Sequence, residues 1–351
     1  MKKVMKLAYL LMGVALLLSS CSEDIFPGGS ESNEDVTISL AYSDVSPRDI
    51  VVNSRATDAE ERHLDNLYIY IFDGNGNLKG YKGIEGEANL IQNTSSTNKA
   101  QITGIKTRSG ESYIYAVANI STGLYPVETS SGTVAANKLP INLNEETARA
   151  GGYDFTLDQL KALTFKRNNT TIDITSAFLM SGAVQDGNLV NITTAGTIAS
   201  GDNAIRLSRI VSKVKFTIKA ANTVGVTRSF KLDTYDIMNI AVDGSLVGKI
   251  DGNSRNKTTN VNNNIGNTVR PNDVENDAQF FEVYLPENLQ DAVHNVTTQA
   301  AREDDSQSIQ KKFTNAPANG TYVVLKGKYE ETKNGTTRSA DVTYYVHLGD
   351  C

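Results

Sequence analysis

The sequence predicts an all-β fold, and three observations carry that reading. The composition leans on Tyr, Thr, Val, Ile, Asn and Gly, which suit pleated, half-buried surfaces and the turns between them. Short runs repeatedly alternate apolar and polar residues with period two. One segment carries a clear helix start, and that helix is short. A chain of 351 residues exceeds one ordinary sandwich, so length favours two domains.

The first residues, Met-Lys-Lys-Val-Met-Lys followed by the apolar run from Leu7 to Leu18, form a basic region and a hydrophobic region of a secretion signal. The run is too short for a stable membrane helix. Leu18-Ser19-Ser20-Cys21 resembles a bacterial lipobox, in which the cysteine is acylated and becomes the mature N-terminus. Two or more acyl chains, palmitate among them, would anchor it stably where one gives marginal binding. Residues 1–20 are therefore expected to be a lipoprotein signal peptide. Cys21 and Cys351 are the only cysteines, so lipid on Cys21 precludes an intrachain disulfide. The fold must then stand on burial, which about 330 mature residues can supply.

After a Pro-Gly-Gly-Ser spacer, Asp35 to Tyr42 alternates with Val36, Ile38, Leu40 and Tyr42 on one face. This half-buried strand stands apart from any early partner, so it must add to a sheet built by later residues. Arg48 and then Arg55 follow, and Arg55-Ala56 lies in a charged linker open to a trypsin-like protease. Residues 21–55 thus read as a lipid-anchored leader with a detachable strand, and the joint from Ser54 to Asp73 organises the rest.

The body starts at Leu67 to Phe72, apolar on both faces, as expected of a strand in the middle of a sandwich. Asp73-Gly-Asn-Gly-Asn77 is a hairpin turn by composition. A calcium loop is excluded because Leu78 stands where Gly is needed and Ile84 where a bidentate Glu is needed. A phosphate loop is excluded by the spacing of Gly74, Gly76 and Gly80, with no helix pattern following. Tyr113 to Asn119 is a further core strand. Thr156-Leu-Asp-Gln159 is a capping box between Phe155 and Leu160, so a helix starts there and ends by about Leu163. Ala177 to Val184 returns to strand.

The polar span from Gln185 to Asn203 offers the best domain boundary, giving domains at 56–203 and 204–351. Leu207 to Ile218 then places Ile210, Val214, Phe216 and Ile218 inward, with Arg209, Val211, Lys213, Lys215 and Thr217 on a solvated face. Asp251 to Asp273 reads as an Asn-rich loop. Strands at Phe280 to Leu285, Thr321 to Lys328 and Asp341 to Leu348 complete the pattern. The chain stops soon after a good strand, so the second domain is expected to be incomplete at its C-terminus or completed by another molecule.

The function classes narrow quickly. Net charge is −6, and falls by three when Lys2, Lys3 and Lys6 leave with the signal, which repels nucleic acid. His63, His294 and His347 have no acidic or thiol partners at ligand spacing, so no metal is expected. Glu60-Glu61, Glu145-Glu146 and Asp304-Asp305 read as solvated pairs, and Ser181 lacks a nucleophile elbow. No enzyme and no cofactor is expected.

Several phrases together resemble the fimbrillin-like proteins of the Bacteroidales, the type V pilin superfamily of FimA-type subunits. They are the lipobox, Leu67-Tyr-Ile-Tyr-Ile-Phe-Asp73, Tyr115-Ala-Val-Ala-Asn119, Phe178-Leu-Met-Ser-Gly182, Leu207-Ser-Arg-Ile-Val-Ser-Lys-Val214 and Tyr284-Leu-Pro-Glu-Asn288. Ser22-Glu23-Asp24 resembles the acidic signal that sends Bacteroidales lipoproteins to the outer face of the outer membrane. The resemblance implies two tandem transthyretin-like β-sandwich domains and, for polymerising members, cleavage after an arginine. Arg55 fits that place, with Arg48 second. Loss of the leader strand would open an apolar groove that a neighbour's strand fills, growing a filament head to tail. The implied role is a fimbrial subunit or accessory protein serving adhesion. The implied partners are other subunits, the outer membrane through lipid, and an arginine-specific protease. Alternatives are an anchor that keeps its lipid and ends the filament, and a surface glycan-binding lipoprotein.

Overall fold

A computed structural model describes residues 34–44, 64–86, 99–120, 138–166, 178–193, 195–199, 204–247, 261–262, 265–268, 274–275, 278–288, 290, 316–317 and 319–348. In chain order these residues form β1 (Asp35–Asp44), β2 (Asn66–Asp73), β3 (Leu78–Glu85), β4 (Lys99–Arg108), β5 (Gly110–Ala118), α1 (Glu145–Arg149), α2 (Leu157–Ala162), β6 (Thr164–Lys166), β7 (Met180–Ala183), β8 (Val190–Ile192), β9 (Gly196–Ala199) and β10 (Ile205–Arg209). They continue as β11 (Val211–Ile218), β12 (Val226–Met238), β13 (Ile240–Ala241), β14 (Asp243–Ser245), β15 (Val261–Asn262), β16 (Ile265–Thr268), β17 (Val274–Glu275), β18 (Ala278–Pro286), β19 (Tyr322–Lys333) and β20 (Thr336–His347). The all-β expectation holds.

A large sheet runs in the order β3-β2-β5-β7-β10-β1-β4, with β8 against β5 and β9 against β1. Strand β2 lies between β3 and β5, and its alternation serves two cores at once. Leu67, Ile69 and Ile71 enter one core, while Tyr68, Tyr70 and Phe72 enter the other. Six consecutive apolar residues are needed because neither face of this strand meets water. The turn after β2 closes as expected, with the amides of Asn75 and Asn77 donating to the Asp73 carboxylate at 2.9 and 2.8 Å.

The two outer strands of this sheet, β3 and β4, approach each other. The Thr107 hydroxyl donates to the Lys79 carbonyl at 3.0 Å, and the Lys79 ammonium donates to the carbonyls of Ser109 and Glu111 at 3.2 and 3.0 Å. Gly80 permits the approach, since a Cβ there would stand 2.8 Å from the Thr107 hydroxyl oxygen. The sheet is thereby curled around the core that holds Ile38 and Leu40 of β1.

The second core covers the outer face of β2, β3 and β5 with residues 139–165. Helix α2 forms because Thr156 caps the Gln159 amide and the Gln159 side chain caps Thr156 in return, the expected box. Phe155 and Leu160, both buried, pack into this core, and the Tyr70 hydroxyl donates to the Pro140 carbonyl at 2.6 Å.

Beyond Ile210 the chain moves to two further sheets, β11-β18-β17 and β16-β12-β19-β20, packed on a third core. Tyr235 and Phe281 stack at 3.7 Å between ring centroids, and Phe216 and Phe281 at 4.7 Å. The ladder of β12 on β19 and of β19 on β20 runs almost the full length of each strand.

Several expectations are corrected. Leu207 to Ile218 is not one strand: β10 pairs with β1 and β7 in the large sheet, and the chain crosses to the next sheet at the buried Ile210. Val211 is not on a solvated face; it packs against two of the cores. Lys213 is also drawn in, its side chain 14% exposed beside Glu282 at 3.5 Å and over the Tyr284 ring. The span 251–273 is not a plain loop, because it contains β15 and β16. His347 is buried at the end of β20, stacked on Tyr322.

Candidate functional site

The candidate site is β1 and the slot it occupies. Three of the four residues expected to form its inward face are described in full. Ile38 and Leu40 are 0% exposed inside the curled sheet, and Val36 packs at the margin of the same core. The backbone of Tyr42 pairs with Ala100 on one side and Ile205 on the other.

The strand is internal. It pairs antiparallel with β4 from Asp35 opposite Arg108 to Ser43 opposite Lys99. Its other edge pairs in parallel with β9 from Ile38 to Leu40 and with β10 from Tyr42 to Asp44. The strand thus brings two ladders and a set of apolar side chains together. Burying an Ile or Leu contributes roughly 1.5–3 kcal/mol each.

Both ladders are interrupted at one level. On β4 the register shifts between Ile38 and Leu40, leaving Thr103 and Gly104 opposite Ser39. Gly104 has φ of +72°, the left-handed conformation that suits a bulge. On β9 the register shifts between Ser39 and Leu40. Sequence reasoning passed over β4 because these extra residues break its apolar alternation.

At its N-terminal end the strand is clasped. The Ser109 amide donates to the Glu34 carbonyl at 2.8 Å, and the Glu34 amide donates to the Ser109 hydroxyl at 3.1 Å. The Asp35 carboxylate is paired with the Arg149 guanidinium at the end of α1. Arg149 also donates to Glu146 at 2.9 Å, and Glu146 accepts from Lys106 of β4 at 2.5 Å. Donating to the Asp35 and Glu146 carboxylates raises the Arg149 pKa, and accepting from Lys106 and Arg149 lowers that of Glu146. The helix is held in place by its Asn144 cap and by Lys82, whose ammonium lies 2.9 Å from Glu145. Glu145 and Glu146 are thus engaged in ion pairs rather than merely solvated.

The remaining predicted site residues, Cys21, Arg48, Arg55 and Ala56, lie outside the described residues, as do His63, His294 and Cys351. Ser181 is buried within β7. Among the described residues there is no group of three His, Cys, Asp or Glu side chains able to hold a metal. A polar hollow lies beside β9, lined by Gln185, Leu189, Asn191, Thr193 and Ile198.

Comparison with known proteins bears on this arrangement. A family model described as the major fimbrial subunit protein (FimA) matches residues 35–270, starting at the first residue of β1. A second, described as a domain of unknown function (DUF4906), matches residues 283–351. No curated protein matches. Among solved structures, the chain is similar to a candidate cell adhesion protein from Parabacteroides distasonis, with 12% identity over 88% of this chain and 80% of that one and a TM-score of 0.51. A fimbrilin from Porphyromonas gingivalis matches with 13% identity over 84% of this chain and 71% of that one, at a TM-score of 0.44.

Proposed function

The chain belongs to the major fimbrial subunit (FimA) family, a structural and non-enzymatic kind of protein found in cell-surface fimbriae, and from that premise we propose that β1 is a replaceable strand through which this subunit is assembled. The protein is exported as a lipoprotein on Cys21 and held at the outer face of the outer membrane. An arginine-specific protease cuts after Arg55, or after Arg48, and the leader leaves. A strand from a neighbouring fimbrial subunit then enters the slot, pairing its backbone with β4, β9 and β10. The resulting fimbria serves adhesion.

One observation supports this reading above the others: β1 is a central strand by pairing although a terminal one by sequence. Removing it leaves two unpaired strand edges and uncovers the core around Ile102, Ile105, Ile205 and Leu207. Such an opening favours strand addition, where backbone hydrogen bonds give affinity and alternate side chains give fit. The contact joins unlike surfaces of successive copies and grows a filament instead of closing into a dimer.

Incubating the purified precursor with an arginine-specific protease and sequencing the new N-terminus tests the proposal. A start at Ala56, accompanied by oligomers, is the expected result. A precursor that resists cleavage and stays monomeric favours the anchor reading, to which the clasp on Asp35 lends support. Glycan binding is less favoured, because the polar hollow beside β9 has no aromatic ring in its lining on which a sugar could stack.

A further inference from the structure

The alternation that buries β1 does not by itself fix where β1 sits along its slot. Sliding the strand by two residues restores the same inward and outward faces. Three of the four positions held by Val36, Ile38, Leu40 and Tyr42 would still receive an apolar residue. The bulge at Thr103 and Gly104 of β4 ties the antiparallel ladder to the level of Ser39. A charged contact at an end of the strand adds a second hold on the register.

The geometry points to Arg149 as a register-setting residue of the β1 slot, acting through the carboxylate of Asp35. The guanidinium is held in place before β1 is considered, by Glu146 at 2.9 Å, itself fixed by Lys106 at 2.5 Å on β4. Glu146 and Lys106 belong to the walls of the slot and remain when β1 leaves. A slide by two residues brings Asn33 or Thr37 to the place of Asp35, and neither carries charge. The observed register is the one that gives Arg149 an anion. Arg149 is a positioning residue, chosen for its planar fork, which holds two carboxylates at once.

A consequence for assembly rests on the reading of β1 as replaceable. A strand that takes its place is selected for an acidic residue immediately ahead of its first inward apolar side chain, the order seen in Asp35-Val36-Thr37-Ile38.

The test uses the full chain carrying Cys21→Ser and Cys351→Ser. Lys99→Cys with Ser43→Cys joins Cα partners of the observed register. Lys99→Cys with Ala41→Cys joins a pair that meets only after a slide by two, which leaves the kind of ladder position at Lys99 unchanged. Under mild oxidation the first pair is expected to cross-link in large excess. Adding Arg149→Met, or separately Asp35→Asn, is expected to move the ratio about fivefold toward the slid pair, the scale of one exposed ion pair. The exchanged pair Asp35→Arg with Arg149→Asp is expected to bring it back. A ratio unmoved by both single changes, in variants that melt cooperatively, overturns the inference, as does an exchanged pair that fails to restore it while still folding. No protease and no strand removal enters this experiment, so its failure leaves the replaceable-strand proposal standing and is distinct from failure of that proposal.

Discussion

The sheet around β1 and the sheet that ends in β20 are built on different terms. Around β1 the apolar side chains are dry: Ile38, Leu40, Leu67, Ile71, Ile105 and Ile205 are all 0% exposed. On the third core Ile237, Ile240 and Val323 are equally dry, but Val214, Phe216, Ile218, Phe230 and Val346 remain half-buried, and Tyr344 is 48% exposed. The second region is held more by length of ladder, by stacked rings and by exposed pairs such as Arg228 with Glu331 at 3.0 Å. The contrast teaches that β1 completes a dry core, where the third core mixes dry side chains with half-buried ones. A strand that seals a dry core is costly to remove without a substitute.

The largest expected effect tests the dry side. Leu40→Ala in the uncut precursor is expected to lower unfolding stability by about 2–5 kcal/mol in a urea titration, the range for an Ile or Leu truncated in a closed core. A loss below about 1 kcal/mol would show the slot to be loosely packed and would erase the contrast. On the other side, Gly327→Ala sharpens the comparison by breaking a ladder instead of a core. A Cβ at Gly327 would sit 2.1 Å from the Lys231 carbonyl oxygen, so β12 and β19 must separate. The expected cost is about 1–3 kcal/mol, read as a lower melting temperature.

Much of the dry region was legible in the sequence, and for one reason: its signals are local. Leu67 to Phe72 announces a strand covered on both faces, Asp73 to Asn77 a turn, and Thr156 with Gln159 a capped helix. Asp35 to Tyr42 announces a strand in need of a host, though its host is spread over β4, β9 and β10. Pairings between strands so far apart leave no local mark, and β4 hides behind its bulge at Gly104. The clasp from Asp35 to Arg149 was invisible for the same reason. The long strand β12 was missed because Thr227, Ser229 and Lys231 alternate with Val226, Arg228 and Phe230, which are only partly covered, so its polar face dominates the start of the pattern.

Smaller effects refine the comparison. Thr156→Ala removes the cap of α2 and is expected to cost about 1 kcal/mol, measurable as a shift in the urea midpoint. Tyr344→Ser on the exposed edge strand is expected to change stability by no more than about 0.5 kcal/mol. A large loss there would mean that the half-wet sheet depends on that ring. The smallest effect concerns acid. Glu146 is held below its ordinary value of 4.5 by Lys106 and Arg149, so its contribution is present above that value and fades as pH falls through the lower folded value. The melting temperature is expected to decline slightly more steeply for the parent than for Glu146→Gln from about pH 5 downward, and parallel curves would remove Glu146 from the clasp.

The most direct test of the central claim is exchange of the strand itself. The precursor is cut with an arginine-specific protease, incubated with a labelled peptide covering residues 33–46, and passed through a sizing column. The account predicts that label travels with the body at one peptide per chain, and that uncut precursor takes up none. A cut body that keeps its fold and never acquires the peptide would contradict it.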